Sequence, residues 1–354
     1  MKLQPATLEK RAAKLGELLP RSRLHPAVLA WIDQRRKSEL WTIALSGGVD
    51  SVALLLLLWV HFPECRERLV VVHFNHRLRG RSADTDETFC RELCRALAVK
   101  FVGGRRRTTQ HVNSEADARR LRFEFVTSAM QRAGARLLWL GHQQNDIAET
   151  MLMRLARGSG AGGLSAPRPC QKMTDGRVHL RPLLSIQRAE LAAAMQSARL
   201  PWREDASNQT RGFFRNRIRL DVLPAWIDAA GRDALAGAAL SRELLAEDDA
   251  ALDDYAAQAA RKMPRAQLDL QMTAGLPRAV LRRLLHRWLL KFAGAPALSR
   301  QAFDLLLHAV EQGKPTRQSI GAEGFARIRR GMLTYERGLK KRWHAREDQS
   351  AGSN

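Results

Sequence analysis

The chain has 354 residues, more than a single ordinary core usually holds, so we expect two domains. Its 45% hydrophobic and 27% charged residues are typical of a folded globular protein and argue against a disordered chain. Lysine and arginine number 59 against 36 aspartate and glutamate, which gives a net charge of +23. Such a charge indicates a polyanionic partner, a nucleic acid in the first place and an anionic membrane surface in the second.

The longest apolar run, 52–60, has nine residues, whereas a membrane-spanning helix needs roughly 20. Because the run lies inside the chain, it is not the apolar part of a signal peptide. Cys90 and Cys94 are the only close pair among four cysteines, and their spacing is that of one helix face, not of a CxxC redox or zinc motif. The composition therefore predicts a cytoplasmic protein without a membrane span, a disulfide framework or a cysteine-rich zinc fold.

Short β-rich runs alternate with helical patterns along the first part of the chain, after a helical N-terminal extension over 1–37. The predicted strands are 41–45, 68–74, 99–102 and 137–141, and the predicted helices lie near 50–60, 84–98, 114–133 and 146–157. Apolar strands separated by helices of this length are typical of an α/β fold with a doubly wound, mostly parallel sheet. Such sheets bind ligands at the carboxyl ends of their strands.

The strand signal fades after Pro224, so we place a domain boundary there: a catalytic domain over 38–225 and a mainly α-helical, basic domain over 226–345. The predicted helices of the second domain are 232–262, 277–292 and 299–312. One or two short strands are expected within 314–346, a segment that contains ten lysines and arginines and two glutamates. Residues 346–354 are expected to form a solvated tail.

The motif SGGVDS, Ser46 to Ser51, lies between the first strand and the following helix. Glycines allow a tight turn, and the amides of a helix N-terminus favour an anion, so this loop is expected to bind phosphate. Asp50 is expected to orient the loop or to hold Mg²⁺ on the phosphates. The alternative, a glycine-rich turn with an ordinary helix cap, is disfavoured by the position of the motif. Its spacing differs from that of a Walker loop.

Two further polar motifs follow strands, HFNHRLRG at 73–80 and GHQQNDIAET at 141–150. In the second, His142 precedes a helix that carries Asp146 and Glu149 on one face, an arrangement suited to binding a cation or accepting a proton. A cluster of this kind standing alone usually only caps a helix. Three polar motifs at the ends of three strands, however, favour an active site.

Arginines form two more candidate sets. Glu115, Arg119 and Arg122 share one face of a predicted helix, and Arg215, Asn216 and Arg219 crowd the amphipathic stretch 213–224. Both sets suit phosphate or RNA-backbone contact. A surface salt-bridge ladder and a solvated basic face are the respective alternatives, and the residues alone leave them open.

In these motifs the chain resembles the tRNA(Ile)-lysidine synthetases, a family of the N-type ATP pyrophosphatase (PP-loop) superfamily. The resemblance covers about 38–224. SGGxDS is common to the superfamily, and the other motifs single out this family. Those motifs are H-x-N-H-x-L-R at 73–79, E-x-x-A-R-x-x-R at 115–122, G-H-x-x-x-D-x-A-E-T at 141–150, R-P-L-L at 181–184, E-D-x-S-N at 204–208 and R-N-x-x-R at 215–219.

The resemblance implies a two-step ligation. ATP adenylates the C2 oxygen of the wobble cytidine in a CAU-anticodon isoleucine tRNA, and pyrophosphate leaves. The ε-amine of L-lysine then attacks C2 and releases AMP, which gives lysidine, so that the tRNA reads AUA. ATP as substrate, Mg²⁺, L-lysine and this tRNA are the implied cofactors and partners. A homodimer is compatible with the sequence.

The resemblance also implies roles for particular residues. ATP binding falls to Ser46, Gly47, Gly48, Val49, Asp50, Ser51, His73 and His76; catalysis to Asp50, Arg119, Asp146 and Glu149; lysine binding to His142, Asp146 and Glu149; tRNA or phosphate contact to Arg122, Arg215, Asn216 and Arg219; and Mg²⁺ to Asp50.

The chain departs from the family in one motif, where the usual H-H-x-D-D is His142-Gln143-Gln144-Asn145-Asp146. The second histidine and the first aspartate are replaced, which puts any charged role of position 145 in doubt. Two other hypotheses remain. Another PP-loop tRNA-modifying ligase is one, although a thiolase should carry a cysteine pair that this chain lacks. A tRNA-binding protein that has lost catalysis is the other.

Overall fold

The computed structural model describes residues 3–34, 39–77, 81–107, 115–204, 210–263, 267–292, 298–321 and 324–337. The chain divides into two compact units, 1–246 and 247–354. The domain boundary expected at 225–226 falls within a helix of the first unit, Leu223–Ala230, and stays a prediction. The expected tail, 346–354, lies outside the described residues.

A six-stranded sheet organises the first unit, in the order β3-β2-β1-β4-β6-β5. Its strands are β1 Trp41–Ala44, β2 Leu69–Asn75, β3 Lys100–Arg105, β4 Leu137–Trp139, β5 Cys170–Lys172 and β6 Val178–Leu180. Every neighbouring pair is parallel except β5 with β6 at the edge. The predicted mostly parallel sheet is confirmed, and the short β5–β6 pair was not anticipated.

The helices of the first unit occupy the segments between and around these strands. They are α1 Pro5–Leu18, α2 Pro26–Asp33, α3 Val49–His61, α4 Arg81–Ala96, α5 Glu115–Arg132, α6 Gln144–Leu155, α7 Ala161–Leu164, α8 Arg188–Ser197, α9 Phe214–Arg217 and α10 Leu223–Ala230. A π-helical turn, Ile218–Val222, joins α9 to α10. Within the described residues, 3₁₀ helices cover Arg21–Arg23, Pro63–Arg68 and Pro182–Ser185.

Alternate strand residues pack on opposite faces of the sheet, which explains the continuous apolar runs in the sequence. Ile43 and Val71 belong to a core with α1, α3, α4 and α8, whereas Val72 and Leu138 pack with α5 on the other face. A sheet buried on both faces needs apolar residues at successive positions. Leu54 and its neighbours in α3 are buried all round for the same reason.

The N-terminal helices α1 and α2 belong to the same core. Leu8 and Leu15 of α1 and Val28 of α2 are at most 3% exposed and belong to the core cluster that includes α3. Within the described residues, no helix is both long and apolar enough to cross a membrane.

Helix α11, Ala234–Arg261, contributes to both units. The second unit adds α12 Arg278–Leu290, α13 Arg300–Glu311 and a four-stranded antiparallel sheet in the order β7-β10-β9-β8. Its strands are β7 Leu268–Asp269, β8 Thr316–Ser319, β9 Gly324–Arg329 and β10 Met332–Arg337. The three predicted helices are present, and the sheet is larger than the one or two strands expected.

The order of the large sheet contains a switch point. The chain runs outward from β1 through β2 to β3 and then returns to place β4 on the other side of β1. The connections after β1 and β4 therefore diverge and leave a crevice at the carboxyl ends of these strands. Ser46–Ser51 and Gly141–Thr150 are the segments that follow β1 and β4.

Candidate active site

The loop between β1 and α3 is held in shape by its own serines. Ser51 Oγ accepts a hydrogen bond from the Ser46 amide at 3.1 Å and donates one to the Gly48 carbonyl at 3.0 Å. Gly47 has a φ of +95°, a conformation that side chains disfavour. No side chain caps the first amides of α3 among the described residues, so these donors remain available to an anion at the positive end of the helix.

Neighbouring segments hold this loop from two sides. The Arg203 amide donates to the Gly47 carbonyl at 2.8 Å, and its Nε donates to Asp86 Oδ1 at 2.9 Å. On the other side, a Cβ placed on Gly141 would lie 2.9 Å from the Asp50 carbonyl oxygen. Position 141 therefore needs glycine because the end of β4 touches the loop. Arg203 is a contact that sequence reasoning missed, although it directly precedes the E-D-x-S-N motif.

Asp50 meets the carboxylates of α6 across the crevice. Burial raises its pKa to about 6, with Asp146 and Glu149 acting in the same direction and the positive charges of Arg188 and Arg219 opposing them. Its Oδ1 is buried and has no hydrogen-bond partner in the described part of the chain. The SGGVDS and GHQQNDIAET motifs thus form one site.

Asp146 and Glu149 form ion pairs with Arg215 of α9 and Arg219 of the π-helical turn that follows it. Glu149 is 1% exposed and accepts from Arg215 Nε at 2.8 Å and from Arg219 Nε and Nη2 at 2.6 and 2.9 Å. Arg215 also donates to Asp146, which lies 4.0 Å from Arg219. The structure thus joins the carboxylates expected to bind lysine to the arginines expected to bind phosphate.

The two replaced positions of the H-H-x-D-D pattern act as helix caps. Gln143 Oε1 accepts from the Asn145 amide at 2.6 Å, while Asp146 accepts from the Gln143 amide at 2.9 Å, which forms a capping box for α6. Asn145 Oδ1 accepts from the Arg188 amide at the start of α8, at 3.0 Å. Each role needs only a neutral oxygen acceptor, which both amides supply.

His142 lies among arginines. Arg181 Nε donates to His142 Nδ1 at 3.1 Å, and Arg181 is itself 5% exposed. Burial lowers the pKa of His142 well below its usual value, and nearby arginines lower it further. These are Arg181, Arg215, Arg119 and Arg122. Arg119 and Arg122 of α5 also lie over the Phe123 ring, at 4.9 and 5.7 Å. Arg181 belongs to the R-P-L-L motif but was not assigned a role from the sequence.

The structure places three other expected residues in internal contacts. His73 is 4% exposed, and its Nδ1 donates to the carbonyl of Leu45, the residue before the loop, at 2.8 Å. The His76 ring meets the Phe74 ring edge-on. Asn216 is buried and donates from Nδ2 to the Thr210 carbonyl at 2.8 Å. Their predicted contacts with ATP or tRNA stay predictions.

A cavity of about 410 Å³ adjoins the paired carboxylates and arginines. Glu149 and Arg219 form its charged wall, while Leu223 and Ile227 form an apolar one. The other lining residues are Asn145, Arg188, Pro224 and Asp228. An apolar wall beside opposite charges suits a small, flexible zwitterion.

No group of three or more histidine, cysteine or carboxylate side chains suited to a metal occurs among the described residues. The unpartnered Asp50 oxygen nevertheless fits a magnesium ion that arrives with phosphates, because Mg²⁺ commonly takes one or two carboxylates together with substrate oxygens.

Several known proteins are similar to this chain. A model of the PP-loop domain family matches residues 21–226. The tRNA(Ile)-lysidine synthase of Geobacter sulfurreducens is 38% identical over 232 residues, 64% of this chain and 48% of that protein. The tRNA(Ile)-lysidine synthase of Pseudomonas syringae pv. tomato is 33% identical over 316 residues, 85% of this chain and 68% of that protein.

The chain spans about half the length of several curated relatives: 48% of the Geobacter protein, 57% of the tRNA(Ile)-lysidine synthase of Symbiobacterium thermophilum and 48% of that of Clostridium acetobutylicum. Among solved structures, the U34-tRNA thiolase NcsA of Methanococcus maripaludis matches with a TM-score of 0.51 and 15% identity, over 68% of this chain and 79% of that one. At this identity the likeness concerns the fold alone.

Proposed function

Because this chain belongs to the tRNA(Ile)-lysidine synthase family of PP-loop proteins, we propose that it ligates L-lysine to C2 of the wobble cytidine in a CAU-anticodon isoleucine tRNA, with ATP as co-substrate. The product is lysidine, which pairs with A, so the tRNA reads AUA. The observation that carries the proposal is the juxtaposition of a preformed anion-binding loop, Ser46–Ser51, with the buried carboxylates Asp146 and Glu149.

In the first step, the C2 oxygen of cytidine attacks the α-phosphorus of ATP, and pyrophosphate leaves. Negative charge then grows on the departing phosphates, where the amides of Val49, Asp50 and Ser51 at the N-terminus of α3 are ready donors. Arg119 and Arg122 of α5 supply positive charge near His142. Preorganised donors are effective because they need no rearrangement while the charge develops.

Mg²⁺ belongs to this proposal through Asp50, whose free carboxylate oxygen would hold it against the phosphates. The ion would neutralise phosphate charge during pyrophosphate departure. Asp50 is the only residue to which we assign it.

In the second step, the ε-amine of lysine attacks C2, and AMP leaves with the former C2 oxygen. The amine must first lose a proton, and we assign the role of acceptor to Glu149 in the cavity wall or to Asp146, which shares Arg215 with it. Because Arg215 and Arg219 occupy these carboxylates, the lysine ammonium must displace at least one of them. The phosphate of the adenylated tRNA is the anion to which a displaced arginine would turn.

The tRNA is the polyanion that the net charge of +23 favours. The second unit contributes the strongly basic segment 314–346, and we propose that it binds the tRNA backbone away from the anticodon. ATP, tRNA and lysine are all cytoplasmic, which is where we place the protein. A homodimer remains a proposal without a specific contact.

Incorporation of radiolabelled lysine tests the activity. Purified CAU-anticodon isoleucine tRNA is incubated with the protein and lysine, with and without ATP, beside methionine tRNA carrying the same anticodon. ATP-dependent, acid-stable label on the isoleucine tRNA alone is the expected result. Salt-sensitive tRNA binding without label would instead support a tRNA-binding protein that lacks catalysis.

A further inference from the structure

Arg181 is held rigidly by three neutral acceptors. Its Nη1 donates to the Arg168 carbonyl at 2.7 Å, its Nη2 to Gln171 Oε1 at 3.1 Å, and its Nε to His142 Nδ1 at 3.1 Å. The residue is 5% exposed. Since all three sides of the guanidinium plane are engaged, the direction of the Nε–H bond is fixed by the protein and not by solvent.

A guanidinium donates and never accepts, so the ring nitrogen that faces it must offer a lone pair. We propose that Arg181 is a positioning residue that locks His142 as the neutral tautomer with its proton on Nε2, so that His142 acts as a hydrogen-bond donor to a phosphate oxygen and neither as the proton acceptor nor as the host of the lysine ammonium.

The charges around His142 favour the same state. Arg181, Arg215 and the two arginines of α5 approach it from three different segments, and each disfavours a positive imidazole. Even with burial lowering its own pKa to about 10, Arg181 remains charged at neutral pH. A neutral His142 with Nδ1 occupied retains one free function, the Nε2–H donor.

The charges around His142 also determine which group can accept the hydrogen bond from its Nε2–H. An ammonium would meet several like charges beside His142, whereas a phosphate oxygen would meet cations and one fixed donor. Which phosphate this is rests on the proposed function: a phosphate of ATP, or the backbone of the anticodon loop. The inference reassigns His142 from the lysine site to the phosphate site and leaves Asp146 and Glu149 as the lysine carboxylates.

The tautomer is measured on the full-length resting protein, independently of catalysis. Two-bond ¹H–¹⁵N correlation spectra of ¹⁵N-histidine protein distinguish the tautomers, and His142→Gln identifies the signal. We expect a neutral Nε2–H pattern between pH 6 and pH 8. A protonated ring or an Nδ1–H pattern in this range would overturn the proposal even if lysine incorporation is fully confirmed.

Two substitutions separate the roles of His142 kinetically. Gln retains a side-chain N–H donor, whereas Glu offers only acceptors that would suit an ammonium. We expect His142→Gln to keep roughly 100-fold more kcat/KM than His142→Glu, as is usual when a donor to a developing charge is lost, with the lysine KM near that of the parent. Better activity of His142→Glu would overturn the donor role. Separate ATP and tRNA affinities of His142→Gln and His142→Ala show which phosphate is bound.

Arg181→Met tests the lock itself. Without the guanidinium, nothing obliges Nδ1 to accept a hydrogen bond, so the NMR signal should show an Nδ1–H component. The pKa of His142 should also rise, because one of the charges that lower it is gone, and the pH–rate profile should shift with it. Arg181→Lys, which keeps a donor and the charge, should restore the parent profile. An Arg181→Met protein with the same tautomer and the same profile would refute the positioning role. If Arg181→Met does not fold, the proposal is tested by the tautomer spectrum of the parent protein and by the comparison of His142→Gln with His142→Glu.

Discussion

Asn145 Oδ1 accepts a hydrogen bond of 3.0 Å from the backbone amide of Arg188, the first residue of α8. The side chain at position 145 thus links the start of α6 to the start of α8. It is the position at which the chain carries an amide in place of the family's aspartate. The contact explains why the replacement is compatible with a formed site, since the amide retains the acceptor and gives up only the charge.

Substitutions at Asn145 should therefore change stability in opposite directions. Asn145→Ala leaves a helix amide without its acceptor, and we expect the free energy of unfolding to fall by about 1 kcal/mol. Asn145→Asp keeps the acceptor and adds a negative charge at a helix N-terminus, which should stabilise by about 0.5 kcal/mol. Urea denaturation of the two variants and the parent checks both values. Equal stability of all three proteins would show that the hydrogen bond between Asn145 and the Arg188 amide does not contribute to the free energy of unfolding.

Glu149→Gln should weaken lysine binding while leaving the first step intact. Loss of one charged hydrogen-bond acceptor corresponds to about 2 kcal/mol, or roughly a 30-fold higher lysine KM. ATP–pyrophosphate exchange in the presence of tRNA should stay close to that of the parent. Glu190→Gln, which alters an exposed ion pair with Arg23, is the matched control. An unchanged lysine affinity in Glu149→Gln would remove Glu149 from the lysine site.

Gly141→Ala should disturb the loop through a direct clash. The added Cβ would lie 2.9 Å from the Asp50 carbonyl oxygen, a backbone atom that cannot turn aside. We expect a loss of about 1–3 kcal/mol in unfolding free energy and weaker ATP binding by calorimetry. Gly237→Ala, on the exposed face of α11 with no atom within 4 Å, should instead stabilise by about 0.5–1 kcal/mol. A Gly141→Ala protein with parental ATP affinity would contradict the contact.

His179 should make the protein sensitive to mild acid. It is 5% exposed, and burial, Arg181 and Arg177 lower its pKa to about 4. Between pH 6.5 and 4 the unfolded histidine is charged and the folded one is neutral, so unfolding takes up a proton and stability falls as pH falls.

The loss attributable to His179 between pH 7 and pH 5 is about 2 kcal/mol. His179→Leu should remove that part of the pH dependence of unfolding, measured by urea denaturation at both values. His308→Gln, a histidine substitution at an exposed site of α13, serves as the control. If the free energy of unfolding depends on pH equally in His179→Leu and in the parent, His179 is not the cause of the acid sensitivity.

The sequence predicted the large sheet well because its strands are apolar and are separated by helices of ordinary length. The β5–β6 pair was missed because strands of three residues, such as Val178–Leu180, are too short to show a period. In the second unit, Thr316–Ser319 is mostly polar and gives little strand signal of its own. This segment forms a strand because it pairs with β9, although its own residues have little preference for strand structure.

At the site, the motifs located the loop, the carboxylates and the arginines, but not their pairing. Arg215 follows Glu149 by 66 residues, and only the fold decides that they share a hydrogen bond. Arg181 was visible within R-P-L-L, yet nothing in the motif indicates that it faces His142. Arg203 was passed over because its main-chain amide, which carries no sequence signature, makes the contact with Gly47.

The serine-bonded loop has a consequence for how quickly a nucleotide is captured. Cys90 Sγ lies 3.3 Å from the position that a Gly47 Cβ would take, so helix α4 supports the turn from beneath while Arg203 holds its carbonyl. Because the loop already has the conformation that binds phosphate, it loses little conformational entropy when a nucleotide binds. Nucleotide association should consequently be governed by diffusion and charge, with single-phase kinetics and no slow rearrangement after encounter.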